Sequence, residues 1–235
     1  VDTVDKRKKL VAELESQKAF CFDTETTGLD ANEAELVGVA FSYKAGVAFY
    51  VPIPENLKAA KLIMSDFQRV FADEKIVKIA HNLKYDLTVL KWHDIAIKGP
   101  IFDTMLAHYL IEPDMRHGMD LLAETYLNYR PVPIEELIGK KGKDQKSMRD
   151  VPLEQIVPYA CEDADITFRL YELFAPQLDD TKTRKLFDQI EMPLVEVLSA
   201  METAGVAVDM QMLRDYSKKL QAEIVGVDKT IKDLA

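Results

Sequence analysis

The feature that most restricts the fold is a series of short apolar segments set between helical stretches. Ala19–Phe22, Ile76–Ala80 and Ile101–Phe102 are isolated apolar runs, and Leu36–Ser42 is followed by Val47–Ile53 across a short Gly-containing turn. Runs this short, bounded by turn residues, predict buried strands, and the last two predict a hairpin. Helical segments separate these strands along the chain, so we expect an α/β fold around a mixed sheet.

Four helices are predicted before, between and directly after these strands. The spacing of apolar residues indicates one over Asp5–Ser16 and one over about Leu83–Trp92. A serine N-cap predicts a helix over Ser65–Phe71, and an aspartate N-cap predicts one over Asp103–Ile111. From there to about residue 174 the pattern is helical with loops, so helices are expected to flank the sheet.

A polar, lysine-rich stretch, Gly139–Asp150, interrupts the helical region. Its glycines and charges predict a surface loop, and Pro152 suits the first turn of the helix that follows. The stretch gathers five basic residues, Lys140, Lys141, Lys143, Lys146 and Arg149. They could contact phosphate groups, or they could form a plain solvated loop, and the sequence leaves both interpretations open.

Residues from about Ile190 have a different pattern. Met192–Thr203 is helical, Gly205–Val208 is a short extended piece, and apolar residues then recur every three or four positions to the end of the chain. An apolar stripe that runs to the last residue indicates either a packing partner elsewhere or a helix that folds back on the first domain. Because position 1 is a valine and not a methionine, we expect the chain to be a piece of a longer protein.

Composition limits the possible functions. The net charge of −10 argues against a broad nucleic-acid-binding surface, which is usually basic. Cys21 and Cys161 have no metal-binding or redox spacing and are expected to be reduced thiols. No apolar run approaches the roughly 18 residues of a membrane span, and no signal-peptide core is present, so we expect a cytoplasmic protein that does not contact a membrane.

Acidic and phenolic residues that could form a catalytic site occur at three places in the sequence. Asp23 and Glu25 are two apart at the end of the first strand, so both carboxylates face the same side and can bind one hard cation. Asp86 stands at the start of a helix, and Tyr159 and Asp163 are four apart on one helical face. Each set alone also fits a structural interpretation: a solvated strand edge, helix-dipole stabilisation, or a core tyrosine beside a solvated aspartate.

The order of these motifs resembles that of the proofreading exonucleases of the DnaQ-like superfamily, in the branch with tyrosine in the third motif. Four segments are similar to the 3′→5′ exonuclease domain of bacterial family A DNA polymerases: Phe22-Asp-Thr-Glu-Thr, Asn82-Leu-Lys-Tyr-Asp, Phe102-Asp-Thr-Met-Leu and Tyr159-Ala-Cys-Glu-Asp-Ala-Asp. The resemblance implies a ribonuclease H-like fold with a mixed five-stranded sheet flanked by helices, plus a C-terminal helical segment. It assigns residues 1–189 to the exonuclease domain and 190–235 to the start of the polymerase domain.

The resemblance also implies roles for single residues. Asp23, Glu25, Asp86 and Asp163 would hold two divalent metal ions, Mg²⁺ or Mn²⁺, and Tyr159 would orient the attacking water. Leu29 would pack against the terminal base, while Thr24, Asn82, Tyr85 and Arg116 would support the substrate or the site. Where relatives place an aromatic wedge this chain has Ile134, which predicts a weaker grip on the 3′ end because stacking is worth about 1–3 kcal/mol per base.

The function implied is that of a 3′→5′ exodeoxyribonuclease, the proofreading part of a DNA polymerase. Its expected partners are a single-stranded or frayed DNA 3′ end and the missing polymerase domain of the same chain, in a monomer at the bacterial nucleoid. Three alternatives remain: an exoribonuclease of the ribonuclease D type, a non-catalytic structural platform for the polymerase, and an acidic metal-storage or scaffold protein.

Overall fold

The computed structural model describes residues 1–234, and a single mixed sheet lies at its centre. Its strands are β1 (Ala19–Thr26), β2 (Leu36–Lys44), β3 (Val47–Pro52), β4 (Val77–Ala80) and β5 (Ile101–Asp103). They are ordered β3-β2-β1-β4-β5. The first three pair antiparallel, and β1, β4 and β5 pair parallel. The predicted α/β fold with a five-stranded mixed sheet is therefore confirmed.

Helices flank this sheet and continue beyond it. They are α1 (Val4–Glu15), α2 (Leu57–Ser65), α3 (Gln68–Phe71), α4 (Leu83–Trp92), α5 (Thr104–Ile111), α6 (Met119–Leu127), α7 (Ile134–Ile138), α8 (Leu153–Asp180), α9 (Arg184–Leu186), α10 (Met192–Ala204) and α11 (Met210–Leu234). A 3₁₀ turn at Met148–Asp150 precedes α8, and a π-helical turn at Phe187–Glu191 precedes α10.

The central strand β1 presents two different faces. Phe20 and Phe22 pack edge-on against Phe71 of α3, within a cluster of buried phenylalanines. The long helix α8 packs across β1, β2 and β3. Because side chains alternate along a strand, Cys21 and Asp23, which follow Phe20 and Phe22, point to the opposite side of the sheet.

One predicted helix start is wrong. Ser65 does not cap a helix through Phe71; it is the last residue of α2, and its hydroxyl donates to the carbonyl of Leu62. The helix that ends there, α2, begins after Asn56, whose side chain accepts the amide of Ala59 and supplies the cap. Phe71 ends a separate short helix, α3, which begins only at Gln68. The expected cap at Asp103 is confirmed, since its carboxylate accepts the amides of Met105 and Leu106.

The chain divides into two compact units, Val1–Thr203 and the segment from Ala204 onward. In the first unit, α10 packs on α4 through a hydrogen bond between the hydroxyls of Thr88 and Ser199 (2.9 Å). The second unit contains α11, in which no residue from Met210 to Leu234 is buried. Within residues 1–234, no helix combines the length and apolar character that crossing a membrane requires.

Candidate active site

Three carboxylates converge at the end of the central strand. One oxygen atom from each of Asp23, Glu25 and Asp163 lies within 4.8 Å of the others. Asp23 and Glu25 alternate with Thr24 on β1 and share the face that α8 covers, and Asp163 lies on α8. The structure therefore shows the proximity expected from the spacing of two along β1.

This group of carboxylates has the properties of a cation site. Glu25 is only 6% exposed, and its Oε1 atom is buried without a hydrogen-bond partner. Burial, followed by repulsion from neighbouring carboxylates, raises the pKa of Glu25 and of Asp163 well above their usual values. Burial also raises the pKa of Asp23 to about 6. Hard oxygen donors brought this close, one of them unsatisfied, fit a divalent cation such as Mg²⁺.

Asp86 lies beside this group but is held by a different neighbour. It is 3% exposed, and its Oδ1 atom accepts both the backbone amide of Thr24 (3.1 Å) and the Thr24 hydroxyl (2.5 Å). Burial and the nearby Asp23 raise the pKa of Asp86 strongly, and the two hydrogen bonds from Thr24 oppose that shift. Thr24 thus connects the carboxylate of α4 to the strand that carries Asp23 and Glu25.

The start of α4 is fixed by a second aspartate. The buried carboxylate of Asp103 accepts the backbone amides of Asn82 (3.2 Å) and Leu83 (2.9 Å), in addition to capping α5. Asn82 has a left-handed backbone with φ of 62°, a conformation that asparagine tolerates better than most residues. Asp103 therefore sets the point at which α4 begins, and so the position of Asp86 one turn later.

Tyr159 lies one turn before Asp163 on α8, and both line the same cavity. Burial, followed by the charges of Asp163 and Glu25, raises the pKa of the Tyr159 phenol above its ordinary value of 10. The phenol is therefore protonated at neutral pH and can donate or accept a hydrogen bond, but it does not act as a base.

Asp23, Glu25 and Asp163 line a cavity of about 570 Å³, and Asp86 is not among its lining residues. Its lining includes Thr24, Asn82, Tyr85, Ile134 and the 90%-exposed Leu29. The Tyr85 hydroxyl donates to the carbonyl of Gly28 and also contacts the hydroxyl of Thr26, so α4 fixes the turn that presents Leu29. The cavity combines an acidic floor with apolar side chains at its edge.

Two acidic or basic residues lie apart from this cavity. Arg116 is exposed in the connection between α5 and α6 and is not among the residues that line the cavity. Asp165, two residues after Asp163, accepts the amide of Gly46 and pairs with Arg169. A spacing of two on a helix predicts that Asp165 points away from the site, and its contacts agree.

Sequence reasoning missed most of one wall of the cavity. Besides Ile134, the segment 134–148 contributes Glu135, Ile138, Lys141, Gln145, Lys146 and Met148 to the lining. The helix α7 within it is five residues long, too short to show periodicity, although Ile134 and Ile138 have the spacing of one helical face. The lysines stand out in the sequence as a basic loop, but no spacing connects them to the carboxylates.

Comparison with known proteins identifies sequence relatives. Residues 1–179 match the sequence profile of a family described as "3'-5' exonuclease", from family A DNA polymerases. The DNA polymerase I of Pseudomonas aeruginosa is 36% identical over 233 residues, which cover 94% of this chain and 25% of that protein. The chain thus spans about a quarter of the length of such relatives.

Solved structures show the same fold. The POL domain of Pol1 from M. smegmatis, in complex with a DNA primer-template and dNTP, has a TM-score of 0.73 at 21% identity, covering 96% of this chain and 36% of that one. Escherichia coli RNase D, an exoribonuclease involved in structured RNA processing, has a TM-score of 0.64 at 17% identity, covering 87% and 50%. The ribonuclease H-like fold of such exonucleases is therefore confirmed for this chain.

Proposed function

Because the chain belongs to the 3′-5′ exonuclease family of DNA polymerase I, we propose that it removes nucleotides from DNA 3′ ends by two-metal-ion hydrolysis, as the proofreading part of a polymerase. The observation that carries this proposal is the convergence of Asp23, Glu25 and Asp163, with an unsatisfied Glu25 oxygen, in a cavity that also contains Tyr159. The match to DNA polymerase I supports DNA as the substrate.

Asp23, Glu25, Asp86 and Asp163 would hold the two metal ions. When bound, a pair of Mg²⁺ or Mn²⁺ ions stabilises both the attacking and the leaving oxygen of an in-line displacement at phosphorus. The side chains are well suited to this, because like charges buried together are unfavourable until cations neutralise them. Thr24 keeps Asp86 next to the strand that bears Asp23 and Glu25.

Tyr159 would orient the attacking water. Its phenol lies near Asp163 and keeps its proton at neutral pH, because its pKa is raised by burial and by the adjacent carboxylates. A protonated phenol fixes a water molecule by hydrogen bonding and does not remove its proton. Substituting Tyr159 should therefore lower the turnover number more than it weakens DNA binding.

The exposed apolar residues at the cavity edge would receive the terminal nucleotide. Leu29 would pack against the terminal base, and Ile134 (39% exposed) would take the place of a wedge between the last bases. Tyr85 would act through the turn at Gly28 that its hydroxyl fixes. Asn82 lines the same cavity. For Arg116, a supporting contact to the DNA backbone outside the cavity stays a prediction.

The partners proposed are a single-stranded or frayed DNA 3′ end and the polymerase part of a longer protein, with the chain acting as a monomer in the bacterial cytoplasm at the nucleoid. Residues 190–235 are proposed to begin the polymerase domain, with α11 in its thumb region. A purely structural platform is disfavoured because all four carboxylates and the tyrosine are present. An acidic storage or scaffold protein would leave their order unexplained.

The main alternative is RNA cleavage, because a ribonuclease of the RNase D type has the same fold. The experiment compares single-stranded DNA and RNA of matched sequence, each labelled at the 5′ end, with Mg²⁺ present. The proposal predicts a ladder of products shortened from the 3′ end and a higher kcat/KM on DNA. A higher kcat/KM on RNA would favour the alternative, and internal cleavage would overturn the exonuclease assignment itself.

A further inference from the structure

One continuous segment, residues 134–148, forms a wall of the cavity that also contains Asp23 and Glu25 of β1. Residues between Ile134 and Met148 line the cavity, and Lys141 and Lys146 supply its cationic side chains. Ile134, Ile138 and Met148 supply apolar surface to the same wall. A wall that combines apolar and cationic groups suits the two chemistries that a single-stranded nucleic acid offers, bases and phosphates.

The two lysines differ from the carboxylates in burial. Lys141 and Lys146 are exposed, whereas Glu25 is 6% and Asp163 5% exposed. The lysines are therefore at the solvent side of the cavity, while the carboxylates are at its floor. Throughout the described part of the chain, no ion pair uses either lysine, so both ammonium groups are available to a ligand.

The loop that carries the lysines is anchored at both ends. The amide of Lys146 donates to the carbonyl of Ile138 (2.8 Å), which closes the loop on the end of α7. Just after it, Met148 is 3% exposed, and the Arg149 guanidinium donates to the carbonyls of Leu36 and Ile53 (2.8 Å each). Anchored ends hold both lysines beside the cavity.

We propose that Lys141 and Lys146 bind the backbone phosphates that precede the scissile one in a single-stranded 3′ end. The inference rests on the proposed function and adds residues and a substrate requirement to it: a strand with at least one phosphate beyond the bond that is cut. Arg149 contributes no such contact, because its guanidinium is engaged by carbonyl groups.

Charge explains why these phosphates need separate cations. The scissile phosphate is to be bound at the carboxylate floor, where metal ions provide the positive charge. The phosphates that precede it in the strand would lie nearer the solvent, where the net charge of −10 of the protein disfavours their binding. Lysine side chains at the solvent side neutralise them there, and each lysine that binds a phosphate releases a counterion from the strand.

The test compares two double variants of equal charge. Lys141→Gln/Lys146→Gln removes both cavity-lining ammonium groups. The control, Lys140→Gln/Lys143→Gln, changes the same number of exposed lysines in the same loop, but neither residue lines the cavity. With a short single-stranded DNA, the first variant should raise KM about tenfold and flatten the dependence of log KM on log salt by about 0.7 for each phosphate that it no longer binds. The control should leave both quantities unchanged.

A second substrate separates the preceding phosphates from the scissile one. The p-nitrophenyl ester of thymidine 5′-monophosphate has one phosphodiester and none before it. Lys141→Gln/Lys146→Gln should hydrolyse this ester at the wild-type rate. An equal rise in KM for both double variants, no rise for either, or loss of ester hydrolysis in the first variant would each overturn the proposal.

The proposed function is tested separately in the same assay. Wild-type protein must degrade the DNA with Mg²⁺, and Asp23→Ala must not. If both hold and the lysine variants behave alike, only the lysine assignment fails. If wild-type protein leaves the DNA intact, the exonuclease proposal fails and the lysine assignment, which depends on it, fails too.

Discussion

At the scale of single residues, the alternation of side chains along β1 places Asp23 and Glu25 on one face of the sheet and Thr24 on the other. Asp23 and Glu25 face α8 and meet Asp163, while Thr24 between them faces α4 and holds Asp86. Asp86 is thereby kept close to the other three carboxylates across the end of β1, and their negative charge is largely buried. Buried like charges oppose folding unless cations are bound, so stability should depend on protonation and on metal.

The substitution Asp23→Asn should stabilise the metal-free protein at neutral pH. Burial raises the pKa of Asp23 from 3.8 to about 6, so the folded state keeps a proton that the unfolded chain releases between these pH values. The contribution of this group to stability therefore falls as pH rises through that window and stays low above it. In chelator at pH 7 the variant should gain on the order of 1 kcal/mol, measured by denaturant unfolding.

The same comparison has an internal check. Below the unfolded-state pKa of 3.8 the two proteins should converge, because Asp23 is then protonated in both states. Adding Mg²⁺ should stabilise wild-type protein more than the variant. Asp114→Asn, at an exposed loop position, is the control. A variant less stable than wild type in chelator at pH 7 would show that the carboxylate is not under electrostatic strain.

Ile134→Phe should tighten binding of single-stranded DNA. Ile134 lines the cavity and is 39% exposed, so an aromatic ring there can stack on a terminal base. A gain of about 1 kcal/mol, or roughly fivefold in Kd, is expected from one added base–aromatic contact. Fluorescence anisotropy in chelator measures it without hydrolysis. Val132→Phe, equally exposed but outside the cavity lining, is the control, and unchanged affinity for Ile134→Phe would refute the idea.

Sequence spacing predicted only part of the site. The spacing of two along a strand correctly placed Asp23 and Glu25 on one face, and the spacing of four along a helix did the same for Tyr159 and Asp163. It did not give the bond from Thr24 to Asp86, because contacts between residues 62 positions apart depend on how elements pack. The place of the loop lysines in the cavity wall was missed for the same reason.

At the scale of elements, one carboxylate joins two strand–helix connections. Asp103, at the end of β5, accepts the amides of Asn82 and Leu83 at the start of α4 and those of Met105 and Leu106 in α5. Both helices are thereby tied to the edge of the parallel strands. The position of Asp86 in the first turn of α4 depends on this link.

Asp103→Asn should destabilise the fold and slow the reaction. An asparagine has one acceptor oxygen, and its amide group would face backbone donors in a site that is 1% exposed. Unpaired buried donors cost about 1–3 kcal/mol, and a shifted α4 would misplace Asp86. Urea unfolding and kcat measure the two effects, with Asp114→Asn as the control. A variant as stable as wild type would contradict this role for Asp103.

The predicted elements were right where the signal was local. Short apolar runs located all five strands, and Asp103 was recognised as a cap. The error at Ser65 arose because the sequence suggests one helix where the structure has two, α2 ending at Ser65 and the four-residue α3 beginning at Gln68 without a side-chain cap. The short helix α7 carried no periodic signal, so the cavity wall it begins could not be inferred.

At the scale of the molecule, the proposed active site and the buried core both lie in the first compact unit. The cavity-lining residues fall between Asp23 and Asp163, and the buried apolar residues end at Val195. Part of the net charge of −10 comes from the clustered carboxylates Asp23, Glu25 and Asp163. The proposed phosphate binding would therefore rely on cations close to the cavity, whether bound metal ions or Lys141 and Lys146.

A chain ended at Thr203 should keep the exonuclease rate and the unfolding midpoint of the longer chain. Every residue proposed to act on DNA lies within Val1–Thr203, and α11 in the second unit has no buried residue of its own. Degradation of labelled single-stranded DNA and thermal unfolding test this. A shortened chain that folds but loses activity would show that the second unit takes part in the reaction.

The central claim is that the carboxylates around Asp23 act with divalent metal to hydrolyse DNA from its 3′ end. The most direct measurement follows a 5′-labelled single-stranded DNA over time with wild-type protein and Asp23→Ala, each with Mg²⁺ and with chelator. Stepwise shortening is expected for wild-type protein with Mg²⁺ alone, and a rate lowered by at least about a thousandfold in the other three cases, since a loss of roughly 4 kcal/mol of transition-state stabilisation corresponds to that factor. Equal degradation by Asp23→Ala, or by wild-type protein in chelator, would contradict it.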